Sequence, residues 1–166
     1  SPENAPYRVG YPLADTVGGL TAAMAINAAL AELPRKAHFV DISMLESVLA
    51  TMGWAVSNLL IADKPPQPMG NDNVTASPSG TFATADGLIN IAANKQEQFE
   101  AICHLLERPE WLTDTRFAQR QARLDNRQAL SDCIEAALTR ETTEYWWPRL
   151  VEAGVPAGAV YSVAEA

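Results

Sequence analysis

The sequence predicts a chain of two parts, an α/β segment followed by a small α+β domain with a short antiparallel sheet and several helices. Three observations carry that prediction. A helical pattern, a short apolar run and a second helical pattern succeed one another between Gly18 and Leu60, the order expected of an α/β segment. Next, Pro65, Pro66, Pro68, Gly70, Pro78 and Gly80 break regular structure. Beyond them two strand candidates flank Asp86-Gly87, and helical periodicity resumes. The expected boundaries are 1–62 for the first part, 63–80 for a Pro-rich linker and 81–166 for the small domain.

Residues 1–17, punctuated by Pro2, Pro6 and Pro12, read as an extended lead-in. The first helix is expected from Gly18 to Leu33, stopping before Pro34, which cannot continue it. Asp15 stands just ahead of Gly18 and Gly19 and of an alanine-rich run. Spacing alone favours a helix N-cap, whose carboxylate accepts from free N–H groups, with a catalytic carboxylate as the alternative. His38 to Ile42 reads as a short strand buried on both faces. Ser43 with Glu46 forms a capping box. Leu45, Val48, Leu49, Met52, Val56, Leu59 and Leu60 then mark one apolar face of a single helix.

In the small domain, Thr81–Ala85 and Leu88–Ala92 predict a hairpin closed by a two-residue type I′ turn at Asp86-Gly87. Asn94 with Glu97 caps the following helix, whose inward face is Phe99, Ile102, Cys103 and Leu106. Another helix is expected over 118–139, with Leu130, Cys133, Ile134 and Leu138 inward. In Thr142–Ala153, Pro148 either kinks a helix or sits in its first turn. Gly154 is a natural C-terminal stop, and Val155–Val160 is a last strand able to pair with the hairpin.

Composition narrows the function. Of 166 residues 48% are apolar, enough for a packed core. A net charge of −8 argues against nucleic acid or an anionic membrane as partner. No apolar run is read as reaching the ~20 residues that span a bilayer. With no secretory pattern at the start, the cytoplasm is the expected compartment. Cys103 and Cys133 read as core thiols, and His38 and His104 have no second ligand at metal spacing, so no metal is expected. Ser1 and the run Val163-Ala164-Glu165-Ala166 read as cut ends, which predicts a piece of a longer polypeptide.

Three further groups invite chemistry. Arg116, Arg120, Arg123 and Arg127 recur at helical offsets. They form either a docking face for phosphate or carboxylate or a solvated stripe paired with acids. Trp146 and Trp147 either line a pocket or close the core. Gly70-Asn71-Asp72-Asn73 is a polar loop able to approach a substrate, or a plain turn. No Gly-rich phosphate loop, Ser/His/Asp set or Cys nucleophile site is present.

The order of motifs says more than any one of them. Gly10-Tyr11-Pro12-Leu13-Ala14-Asp15-Thr16-Val17-Gly18-Gly19 is followed by Phe39-Val40-Asp41-Ile42-Ser43-Met44-Leu45-Glu46. Then come Ala85-Asp86-Gly87-Leu88-Ile89-Asn90-Ile91-Ala92-Ala93-Asn94, Asp114-Thr115-Arg116-Phe117 and Gly154-Val155-Pro156-Ala157-Gly158-Ala159-Val160. This succession resembles the class III (CaiB/BaiF-like) CoA-transferases, the family of formyl-CoA transferase, carnitine CoA-transferase and the α-methylacyl-CoA racemases. The resemblance covers essentially the whole chain and corresponds to the middle of a family member. It implies that residues 1–62 are the C-terminal part of a Rossmann-like, CoA-binding large domain.

The resemblance also implies a role for Asp15 as the family's catalytic aspartate, which attacks an acyl-CoA and then carries CoA as an aspartyl thioester. Substrates are then an acyl-CoA and a small carboxylic acid, and the full-length protein is an interlocked homodimer. Gly18, Gly19, Gly70, Asn71 and Asn73 are the accompanying substrate-site candidates. A racemase of the same family uses this aspartate as acid or base with a glutamate after the hairpin. Here Ala92-Ala93-Asn94-Lys95-Gln96 stands instead, which looks like the transferase branch. The family's Thr-Gly-x-Gly-Gln turn is replaced by Leu33-Pro34-Arg35-Lys36-Ala37, and the glycine run of formyl-CoA transferase by Gly70-Asn71-Asp72-Asn73-Val74. A non-catalytic dimerisation or binding module is the alternative from another class.

Overall fold

A computed structural model describes residues 8–166. Among them are seven α-helices and one three-stranded antiparallel sheet, so the chain is mixed α and β. It divides into two compact units, Ser1–Pro68 and Met69–Ala166. Pro2 and Pro6 of the expected lead-in lie outside the described residues.

In the first unit α1 spans Leu13–Ala31, so it starts five residues earlier than expected. Pro12 is the N-cap, and at φ −76° its ring presets the entry to the helix. Asp15 is therefore inside the first turn and is not the cap. At 19 residues and a mean hydropathy of 1.3, α1 is long and apolar enough to cross a membrane by length and composition, which corrects the reading that no run is. The helix ends ahead of Leu33, which a following proline disfavours in helical geometry.

His38–Ile42 forms no strand. A strand exists through its ladder, and the described residues of this unit supply no partner, so the Rossmann-like layering expected here is not seen. Ser43 caps α2 (Met44–Thr51) as predicted, its Oγ accepting from the Glu46 N–H at 3.2 Å. The single long helix does not form. Gly53, at φ 48°, separates α2 from α3 (Trp54–Ala62), and the two bend by 90°. Only glycine holds that backbone cheaply. The predicted apolar face stays largely uncovered, with Leu45 69% and Leu60 77% exposed.

The second unit holds the hydrophobic core. Strands β1 (Ser79–Ala83) and β2 (Leu88–Ala92) pair with Phe82 opposite Ile89 and Gly80 opposite Ile91. Alternation sends Phe82, Ile89 and Ile91 into the core. The connection is a four-residue loop, Thr84–Gly87, and not the type I′ turn expected. Neither Asp86 nor Gly87 has a positive φ. Instead the Asp86 carboxylate accepts from the Thr143 N–H at 2.7 Å, and Thr84 Oγ1 accepts from the Gly87 N–H. A tertiary cap has overridden the local turn preference. The outer edge of β1 is covered by Glu135, which accepts from the Ala83 N–H at 3.0 Å.

Helix α4 (Gln96–Leu105) starts from Lys95, not Asn94, with Gln98 Oε1 accepting from the Lys95 N–H. Phe99, Ile102, Cys103 and Leu106 are buried as predicted. A short 3-10 turn (Pro109–Leu112) follows. The expected 118–139 helix is two, α5 (Arg120–Asp125) and α6 (Arg127–Leu138), parted at Asn126. Leu130, Ile134 and Leu138 are buried, whereas Cys133 is half-buried.

Thr142 Oγ1 caps α7 (Thr143–Glu152), which runs through Pro148. Pro148 and Glu144, whose carbonyl loses its helix donor, are both exposed, so the break falls on the solvent side of the helix. Gly154, at φ 78°, stops the helix, and the N–H groups of Gly154 and Val155 return to the Val151 and Leu150 carbonyls. β3 (Ala157–Ala159) then pairs antiparallel with β2, giving the order β1-β2-β3.

Two outcomes follow from this packing. A Cβ at Gly80 falls 2.9 Å from the Asn71 carbonyl oxygen, whereas at Gly158 nothing lies within 4 Å. In urea titrations Gly80→Ala is expected to cost about 1–3 kcal/mol and Gly158→Ala to cost much less. Hydrogen bonding from the Thr143 N–H holds the Asp86 carboxyl below its ordinary range. Its contribution is present above the unfolded-state value near 4 and is lost as pH falls through the lower folded value. Acid titration followed by circular dichroism should show that part of the pH dependence disappearing in Asp86→Asn.

Candidate active site

The first turn of α1 presents an exposed carboxylate beside unused donors. The Leu13 N–H bonds the Tyr11 carbonyl at 2.8 Å and the Thr16 N–H bonds the Pro12 carbonyl at 3.0 Å. Pro12 has no side-chain acceptor, so among the described residues nothing caps the turn. Among the described residues the N–H groups of Ala14 and Asp15 have no acceptor. Such a helix start carries partial positive charge and favours an anion.

Gly18 and Gly19 stand three and four residues beyond Asp15, on the same face of the helix. Helical side chains lean toward the N-terminus, so any at 18 or 19 would lie over Asp15. The two glycines leave the carboxylate uncovered. Gly18 has a second role: a Cβ there falls 3.1 Å from Met44 Cγ, so its absence lets α1 and α2 approach closely. At Gly19 nothing lies within 4 Å.

Just ahead of α1, Arg8, Val9, Gly10, Tyr11 and Pro12 line an open hollow of about 320 Å³. Sequence reasoning passed over Arg8. The signal was available, because Arg8 is the sole cation among the first 34 residues.

Gly70, Asn71 and Asn73 belong to the second unit, where they form a turn of their own. Gly70 makes the turn at φ 63°. The Asn73 side chain is spent inside it, accepting from the Thr75 N–H at 2.8 Å and the Thr75 hydroxyl at 2.9 Å. The Asn73 N–H ties the turn to the Ser79 carbonyl at 2.9 Å. Asn71 is exposed, and among the described residues its amide makes no hydrogen bond.

The arginines form no common face: Arg116 is solvated and acid-paired, and among the described residues the other three have no acid partner. Arg116 pairs with Asp114 at 2.7 Å. The other three reach backbone carbonyls: Arg120 to Thr75 at 2.8 Å, Arg127 to Ala76 at 3.0 Å, and Arg123 to Ser77 at 3.0 Å. Arg123 is only 3% exposed, also donates to the Phe117 carbonyl and Gln96 Oε1, and lies 4.3 Å over the Phe99 ring. Burial lowers its pKa from the ordinary arginine value.

Of the tryptophans, Trp146 closes the core, its Nε1 donating to the Leu138 carbonyl at 2.7 Å. Trp147 is 41% exposed. With Glu144, Pro148, Val151 and Glu152 it lines an open groove of about 570 Å³. Burial pushes the Cys103 thiol up to about 12, which makes it a poor nucleophile. No group of three His, Cys, Asp or Glu suited to a metal occurs among the described residues.

The family model for CoA-transferase family III matches residues 1–166. The chain is 32% identical to acetyl-CoA:oxalate CoA-transferase of Acetobacter aceti, over 99% of this chain and 43% of that one. It is 31% identical to succinyl-CoA:glutarate CoA-transferase of Mus musculus, over 95% of this chain and 37% of that one. A CAIB/BAIF family protein from Brucella suis superposes with a TM-score of 0.82 at 30% identity, over 99% of this chain and 44% of that structure. The chain thus spans less than half the length of these relatives. Sequence, motif order and three-dimensional likeness agree, and the chain belongs to CoA-transferase family III.

Proposed function

We propose that this chain carries the nucleophile of a transferase that moves CoA from an acyl-CoA to a small carboxylic acid, with Asp15 as the catalytic residue. The observation that carries the proposal is the uncovered Asp15 carboxylate on an uncapped helix start, with Gly18 and Gly19 clearing its face. The names of the relatives favour transfer between carboxylates over racemisation.

The Asp15 carboxylate attacks the thioester carbonyl of the donor, forming a mixed anhydride and expelling the CoA thiolate. That thiolate attacks the aspartyl carbonyl, releasing the donor acid and leaving an aspartyl-CoA thioester. The acceptor carboxylate then attacks this thioester, forming a second mixed anhydride and again freeing the thiolate. Attack of the thiolate on the acceptor's acyl carbon gives the new acyl-CoA and restores Asp15. The free N–H groups of Ala14 and Asp15 are suited to developing oxyanions. Asn71 is the substrate-facing member of its turn, whereas Gly70 and Asn73 shape it.

On this proposal residues 1–62 belong to a Rossmann-like CoA-binding domain, and the working enzyme is a cytoplasmic, interlocked homodimer needing no metal. It engages neither membrane nor nucleic acid. The 166 residues alone are expected to show no turnover.

The test uses the protein at the length of its relatives. Incubation with acyl-CoA and then hydroxylamine should leave a hydroxamate on Asp15, read by peptide mass spectrometry. No label on Asp15 would sink the covalent path. Asp15→Ala should lower kcat by about three orders of magnitude or more with folding intact. A Cβ at Gly19 meets no neighbour within 4 Å, so Gly19→Leu should keep the melting temperature yet slow the enzyme, because its side chain leans over Asp15. Wild-type rates in that variant would remove the glycine from the site.

A further inference from the structure

The segment between the two units' regular elements is held in an unusual way. From Thr75 to Ser79 every backbone carbonyl accepts a hydrogen bond, though residues 75–78 lie in no helix or strand. Thr75, Ala76 and Ser77 are bonded by Arg120, Arg127 and Arg123. Pro78 accepts from the Ala93 N–H at 3.1 Å and Ser79 from the Asn73 N–H at 2.9 Å. The three guanidinium groups come from α5 and α6, which are themselves packed into the second unit. Arg123 is buried with no carboxylate partner. Desolvating a cation to hold a strand's lead-in is expensive, so its gain must lie in fixing that backbone.

What the backbone fixes is the turn before it. The Asn73 N–H reaches Ser79, Asn73 Oδ1 reaches Thr75, and the backbone at Asn71 rests where Gly80 lacks a side chain. We propose that Arg120, Arg123 and Arg127 are positioning residues, a clamp that sets the conformation of the Gly70–Asn73 turn and so the aim of the Asn71 amide. The proposal rests on the reading above that Asn71 faces substrate. The clamp governs selection of the acceptor carboxylate and contributes nothing to the attack by Asp15.

The experiment is a double-mutant cycle in the relative-length enzyme, with amide hydrogen exchange alongside. Arg127→Gln, at the half-exposed end of the clamp, is chosen because Arg123 variants risk misfolding; Arg127→Lys is the conservative control. Expected are an unchanged melting temperature and faster exchange at Asn73 and Thr75. KM for the acceptor acid should rise roughly five- to tenfold in Arg127→Gln, with kcat near wild type. Asn71→Ala should give a similar rise, the double variant should add little to either, and Arg127→Lys should recover part of the loss. Unchanged exchange at Asn73 and Thr75 overturns the clamp. Faster exchange with KM unmoved, while Asn71→Ala raises KM, overturns the link to substrate. If Asn71→Ala leaves KM unmoved although exchange quickens, the substrate role of Asn71 fails and the clamp's functional role with it, while Asp15 labelling stands apart.

Discussion

The second unit depends on one buried cation. Arg123 gives Nε to the Ser77 carbonyl, Nη1 to the Phe117 carbonyl and Nη2 to Gln96 Oε1, over the face of Phe99. These contacts tie the irregular segment before β1 to α4, α5 and the Phe117 turn. Neutral carbonyls are weaker partners than a carboxylate, but several in fixed directions satisfy the planar fork. Lysine, a point charge with three rotatable donors, cannot reproduce that geometry. The sheet that follows inherits its start from this arrangement. Gly80, the second residue of β1, is pressed so closely by Asn71 and Asp72 that a methyl group has no room.

The first unit is organised differently, around what its helix start omits. A capped helix would have satisfied its own first N–H groups, and a larger residue at 18 or 19 would have covered Asp15. Pro12 and the two glycines withhold both. Gly18 does this while letting α1 lie against Met44, so one small residue serves packing and exposure together. The cost in helix propensity is about 1 kcal/mol per glycine. The alanine run that follows, with its favourable propensity, is well placed to offset it.

Much of the second unit was legible from periodicity, because its elements bury their faces within it. Phe99, Ile102, Cys103 and Leu130 fell where a 3.6-residue repeat places them. The misreadings share a cause in contacts made by distant parts of the chain. Asp86-Gly87 has the composition of a tight turn, yet Thr143 claims the carboxylate from 57 residues away. The arginine stripe looked helical, whether as a docking face or a solvated one, whereas Asn126 breaks the helix and carbonyls some 45 to 51 residues distant take three of its four guanidinium groups. Asp15 was singled out as a catalytic candidate by motif order and not by spacing. Its local pattern favours a cap, and only the helix beginning at Leu13 removes that option.

In the first unit the same periodicity misled for another reason. Leu45, Leu60 and Ile61 sit on helices more apolar than those of the second unit, but they remain exposed. Each such side chain forgoes roughly 1.5–3 kcal/mol of burial, and α2 and α3 bury only Ser47 between them. Helices this short are marginal without tertiary packing. The described residues of the unit therefore do not account for its stability by their own contacts. The proposed chemistry has the same requirement, since an aspartate exposed to water favours hydrolysis of any thioester it forms. On that proposal, burial of the apolar side chains and exclusion of water from Asp15 are two demands that the described contacts of the first unit leave unmet.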